Sequence, residues 1–254
     1  MVKLLIENAG DLNITNNRGD TPLNSASRSG YVEVVKVLLE KGGDLSVPDN
    51  NGFTPLNNAS YNGHVEVVYL LVKNGADPMI TENNGWAPLS IASSRGYIAV
   101  VKALISAEKC KINGCDDNGL TALAWAAKRG YVEIVDMLVK RGANTSISDL
   151  QGATCINLAA KEGHLDVVKK LLDHGCEWNM PNDSGSDALQ LAILGGHSHV
   201  EAHLLTIGAE TPNDVYGLPL YLENEYGDNL LAMSDESKLQ RIWRTSPHDC
   251  CAWN

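Results

Sequence analysis

Asp49-Asn-Asn-Gly-Phe-Thr-Pro-Leu56 runs on through Asn57-Asn-Ala-Ser-Tyr-Asn-Gly63 and His64-Val-Glu-Val-Val-Tyr-Leu-Leu-Val72 to Asn74-Gly-Ala-Asp77. This stretch reads as one complete folding unit. Asp49 to Gly52 make a turn, because glycine supplies a positive φ and Asp or Asn bonds its own backbone. Thr54 is suited to cap a helix, and Pro55 fits the first helical position, where no N–H is needed. A short helix follows over 57–62, and Gly63 is placed to end it in the left-handed conformation. His64 to Val72 form a second helix, with Val67/Val68 and Leu71/Val72 four apart on one face. Neither helix can bury its apolar face alone, so neighbouring units must stack.

The same grammar extends in both directions. Glycines recur at Gly19, Gly52, Gly85, Gly119, Gly152 and Gly185, at spacings of 33, 33, 34, 33 and 33. A second series, Gly30, Gly63, Gly96, Gly130, Gly163 and Gly196, follows eleven residues behind. A fixed period near 33 is the mark of stacked supersecondary units. Thr21-Pro-Leu, Thr54-Pro-Leu and Ala87-Pro-Leu open the first helices, Ser27-Arg-Ser-Gly-Tyr-Val-Glu-Val-Val35 and Lys128-Arg-Gly-Tyr-Val-Glu-Ile-Val135 join first helix to second, and Lys73-Asn-Gly-Ala-Asp77 and Lys140-Arg-Gly-Ala-Asn144 lead out.

These residues resemble the ankyrin repeat. The resemblance implies an all-α solenoid of helix-turn-helix units with turn or hairpin tips: six units over residues 16–210, a partial unit over 1–15, and a non-repeating segment over 211–254. The sequence departs from the family pattern in places. Asn24, Asn57, Ser90, Ala124, Asn157 and Gln190 stand where the family usually has His, which alters the bonding between adjacent units. Ala87 replaces the capping Thr, and Ala122 and Cys155 replace Pro. The one extra residue falls between Ile105 and Gly119, in a loop around Cys110.

In this fold the tips and first helices form one concave surface, where the resemblance places a protein partner. The residue after each tip glycine runs Asp20, Phe53, Trp86, Leu120, Ala153, Ser186. Stacking is expected to make Phe53, Trp86 and Leu120 a contiguous apolar strip at the solvent edge, with Tyr61 and Trp125 beside it. Grouped exposed aromatics are what interface hot spots are made of. Arg28, Asn62, Arg95, Lys128, Arg129 and Lys161 are expected to form a basic row along the strip, with Asp49, Glu82, Asp116, Asp117 and Asp149 on the tips. A partner with an apolar anchor and flanking acids would complement that row.

Composition narrows the function classes. The 254 residues are 44% apolar and 20% charged, with one Phe beside eight Tyr and five Trp. Small aliphatics must therefore do most of the packing. The net charge of -11 and the absence of any run of four basic residues make nucleic acid a poor partner. No stretch approaches the length of a membrane span, and Met1 to Glu7 lack a signal-peptide core. The six cysteines are scattered without a Cys-x-x-Cys pair, which suits reduced thiols in the cytoplasm. Four matches to the glycosylation pattern, at Asn13, Asn58, Asn144 and Asn182, read as chance in an Asn-rich chain.

Catalytic motifs are absent: no nucleophile elbow, Walker loop or paired-carboxylate pattern occurs. His199 and His203 could share a helix face as metal ligands do, but no further ligands stand at a recognisable spacing. Neither a metal nor a cofactor is expected. The alternative to an interaction scaffold is an enzyme with a small-molecule pocket in the groove, or between the last unit and the C-terminal segment. In that segment Ser234 to Arg244 reads as a capping helix for the end of the array, and Cys250 and Cys251 are expected to carry no lipid. Because residues 1–15 supply only a second helix, the chain is expected to be part of a longer protein.

Overall fold

The computed structural model describes residues 11–208. The expected partial unit at the N-terminus, the helix over 234–244 and the tail cysteines lie wholly or mostly outside those residues. Twelve helices occur among the described residues, in six antiparallel pairs. The first helices are α1 (Pro22–Ser29), α3 (Pro55–Asn62), α5 (Pro88–Arg95), α7 (Ala122–Lys128), α9 (Cys155–Lys161) and α11 (Ala188–Leu194). The second helices are α2 (Val32–Glu40), α4 (Val65–Lys73), α6 (Ile98–Ile105), α8 (Val132–Lys140), α10 (Leu165–Asp173) and α12 (Ser198–Thr206). Six stacked pairs are the solenoid that the repeat predicts.

Local chemistry starts and stops the helices as expected. Thr21, Thr54 and Thr121 accept the backbone N–H three residues on, satisfying a donor that the helix leaves free. Asp187 and Gln190 close a reciprocal capping box at 2.9 Å in both directions. Ala87 has the backbone of a capping residue, φ -74° and ψ 158°, and no side chain to use it. Ala87→Thr is therefore expected to stabilise the protein by about 1 kcal/mol, the usual worth of a restored cap. A urea titration in which the variant unfolds at the parental midpoint would contradict this.

Gly63 shows why the second glycine series is needed. Its φ is +76°, and a Cβ there would lie 3.0 Å from the ring of Tyr97 in the next unit. At Gly30, Gly130 and Gly163 the covering group is a histidine of the next unit. The rings of His64, His164 and His197 bond the carbonyls of Arg28, Lys128 and Lys161 at 2.8–3.0 Å, tying each unit to the one before.

Small residues set the curvature. Ala26, Ala59, Ala92, Ala126, Ala159 and Ala192 occupy the same position of successive first helices, and all are buried. They let neighbouring first helices pack more extensively than neighbouring second helices do. The stack bends accordingly, with first helices and tips on its inner side. Branched aliphatics of the second helices, such as Val67, Val100, Ile134, Val167 and Val200, complete one continuous core. Unit-to-unit bonding is altered as expected, yet Asn24, Asn57 and Asn157 partly make it good. Their amides donate to the carbonyls of Val47, Ile80 and Met180, each 23 residues ahead. The lengthened loop follows α6, and Cys110 within it packs on the core. Burial there pushes the Cys110 thiol up to about 11.

Candidate partner-binding groove

Each tip is built around one acidic or amide side chain. Asp49 accepts the N–H groups of Asn51 and Phe53 at 2.9 and 3.0 Å, closing the turn. Glu82, Asp116, Asp149 and Asn182 do the same for their own tips. Successive tips are then laced by backbone bonds of 2.9–3.2 Å, from Asn50, Asn83, Asp117, Leu150 and Asp183 back to the preceding tip. Asp49, Glu82 and Asp116 are buried. The rim charges expected of these three are thus structural groups turned into the tips.

The apolar strip is shorter than expected. Phe53 and Trp86 are half-buried, and Tyr61 is 41% exposed. Leu120 and Trp125, expected at the solvent edge, are buried at 5% and 8% exposure. Trp125 is drawn in because its indole N–H donates to Asp116 Oδ2 at 2.8 Å. Trp86 then lies against it, ring centroids 4.3 Å apart. Trp125 and Leu120 form the floor of the groove, and Trp86, Phe53 and Tyr61 form its surface. Phe53 and Tyr61 meet edge to face at 5.6 Å, a favourable aromatic geometry.

The basic row also changes. Arg28 is occupied: it bonds both oxygens of Asp20, Asp49 Oδ2 at 2.7 Å and Asn58 Oδ1 at 3.0 Å. Charge-assisted contacts of this kind hold two tips together and leave no cation for a partner. Arg95 lies over the ring of Tyr61, 3.4 Å from its centroid, and Lys128 sits 5.3 Å from that of Trp125. Arg95, Lys128, Arg129 and Lys161 make no ion pair among the described residues.

Two adjoining open depressions result. One, of about 560 Å³, is lined by Phe53, Tyr61, Trp86, Arg95, Tyr97, Arg129 and Tyr131 with the buried Glu82 beneath. The other, of about 660 Å³, lies between Arg28, Asn58 and the tips of the first and second units. The Phe53–Tyr61 pair borders both. Tyr97 and Tyr131 did not figure in the sequence reading. Their signal was present: they stand, as Tyr31 does, where His64, His164 and His197 stand in other units, and each follows two residues after an arginine, Arg95 or Arg129, that lines the depression. Glu82, the carboxylate at the aromatic depression, is spent on Asn84 and Trp86 of its own tip. What remains open is aromatic surface and guanidinium.

His197 and His199 bond the carbonyls of Lys161 and Gly163, and among the described residues no group of three potential ligands gathers to hold a metal. On the outer face Asp136 collects Lys140 at 2.6 Å and His174 at 3.0 Å. Hydrogen bonds from Lys140 and then His174 hold its carboxyl below the usual range. A lowered folded pKa stabilises above the ordinary carboxylate value and is lost as pH falls through the folded one. Asp136→Asn should therefore shrink the fall in stability below about pH 4, the ordinary carboxylate range. Parallel acid-unfolding curves for variant and parent would show that Asp136 contributes nothing there.

Family models for ankyrin repeats match residues 1–82, 74–149 and 138–192. The chain belongs to the ankyrin-repeat family. Ankyrin repeats are typically protein-interaction scaffolds. Among solved structures the chain is similar to the ankyrin-repeat domain of Bcl-3, a member of the IkappaB protein family. The two are 28% identical, with a TM-score of 0.71, over 90% of this chain and 100% of that one. No curated protein matches in sequence. Among the described residues no helix of this ankyrin array is long and apolar enough to cross a membrane.

Proposed function

We propose that this chain is a protein-interaction scaffold that takes its partner on the concave groove between Phe53 and Tyr131. One observation carries the reading. Phe53, Tyr61, Trp86, Tyr97 and Tyr131, from three consecutive units, gather with Arg95 and Arg129 around a single open depression. Tyr, Trp and Arg are the residues on which interfaces concentrate their binding energy. Leu120 and Trp125 act as the floor that holds Trp86 in place, and Arg28 locks the neighbouring tips. Lys128 flanks the site. The open, shallow form of the groove and the engagement of Glu82 support recognition over chemistry on a small molecule. The described cysteines are free thiols, which suits a cytoplasmic setting. The test is a chain carrying Phe53→Ala with Trp86→Ala. It should lose the partner that the parent protein captures, with its helical signal unchanged.

A further inference from the structure

The groove has a polarity that its aromatic lining alone does not reveal. Arg95 and Arg129 occupy equivalent places in successive units, each directly before the glycine that closes its first helix. Neither makes a side-chain hydrogen bond or ion pair among the described residues. Arg95 is pinned by its stack on Tyr61. Stacking fixes the guanidinium plane and leaves its N–H edge free for a planar anion, the fork geometry that suits carboxylate.

The acids that would quench this charge are engaged elsewhere. Asp20 and Asp49 hold Arg28. Glu82 and Asp116 hold their tips, and Asp116 also takes the indole of Trp125. Lys128 beside Arg129 adds to the unopposed positive charge. Asp117, exposed at its tip, lies outside the lining of the depression. In the next unit the equivalent place belongs to Glu162, which is exposed and would repel a carboxylate. The cationic stretch is therefore two units long. The net charge of -11 is distant by comparison, since screening confines exposed charges to about 10 Å.

Spacing converts this pattern into a partner. Packed helices stand about 8–10 Å apart, and an extended chain of the polyproline II type rises about 3.1 Å per residue and returns a side chain to the same face every third residue. One unit thus corresponds to about three residues, one full turn, of such a peptide. We propose that the groove recognises an extended acidic segment of a protein, with two carboxylate residues three apart and an apolar residue between them. The carboxylates meet Arg95 and Arg129, and the apolar side chain seats against Phe53, Tyr61 and Trp86. This rests on the groove being the partner site and names what the site selects.

The probe is a labelled peptide containing Glu-Leu-Ser-Glu flanked by Gly and Ser, followed by fluorescence anisotropy at low salt. Comparison peptides carry Gln-Leu-Ser-Gln or place the two glutamates side by side. The acidic peptide should bind saturably. Affinity should fall about tenfold for each Glu→Gln change, and likewise for Arg95→Ala or Arg129→Ala, the size of one charge-assisted hydrogen bond. Lys161→Ala, beyond the stretch, should alter it less than twofold on the same reasoning, as an exposed rim charge. Circular dichroism of each variant separates lost contact from lost fold. Equal binding of the glutamine and glutamate peptides overturns the acidic assignment, as does equal binding of the side-by-side peptide. No binding by any peptide also overturns it. The groove reading is judged separately: it stands if Phe53→Ala with Trp86→Ala abolishes capture of the native partner, and falls if capture persists.

Discussion

Asp116→Ala is expected to lose about 4 kcal/mol of stability. The residue is 6% exposed, and its carboxylate accepts three bonds: Asn118 N–H, Leu120 N–H and the Trp125 indole. A buried donor left without its acceptor costs about 1–3 kcal/mol, and three such costs overlap because one tip relaxes together. Asp116→Asn separates the contributions. Asn182, in the last unit, already closes its tip with an amide oxygen, at 3.1 and 2.9 Å to Ser184 and Ser186. An asparagine at 116 should therefore keep the turn and lose only the indole bond, at about 1–2 kcal/mol. Urea unfolding of the two variants checks both figures. Equal losses for Ala and Asn would mean that the turn does not depend on this side chain. The damage should also reach the groove, because Trp86 rests on the tryptophan that Asp116 anchors.

Phe53→Ala with Trp86→Ala is expected to weaken partner binding by about 2 kcal/mol or more, roughly thirtyfold in affinity. Both rings are half-exposed at neighbouring tips and line the same depression. Truncation removes the anchors from the partner's side while leaving the tip backbones, which Asp49 and Glu82 hold, intact. Phe53 also braces Tyr61, on which Arg95 lies, so the double change unsettles the guanidinium as well. Isothermal titration against the captured partner gives the number. Unaltered affinity with an unaltered far-UV spectrum would move the site elsewhere on the array.

Much of this was legible in the chain and some was not, for reasons that individual residues make clear. Helix starts and stops follow from bonds within three residues, so Thr54 and Gly63 declared themselves. The tip acids obey equally local rules, yet their direction did not show in a list of charges: Asp49 and Asp116 read as rim and are in fact turned inward. Trp125 could not be placed because its burial depends on a partner nine residues back across a turn. Arg28 read as part of a row with Arg95. It stands in the place that Tyr61 holds in the next unit, one residue earlier than Arg95, and two aspartates claim it. The Arg95–Tyr61 stack joins two units and has no counterpart within either. Periodicity reports what each unit repeats, whereas a binding site is made of what consecutive units do differently.

That distinction bears on how such a chain can change over generations. The lacing of tip to tip and helix to helix joins each unit only to its neighbours, so duplication or loss of a unit near either end leaves the inner contacts of the array as they were. The proposed binding groove spans only three of the six described units. Array length and recognition can therefore drift independently, with one exception. A unit gained between Asn62 and Trp86 would part the Phe53–Tyr61 pair from its arginines and erase the specificity proposed for the groove in one step, without any residue having mutated.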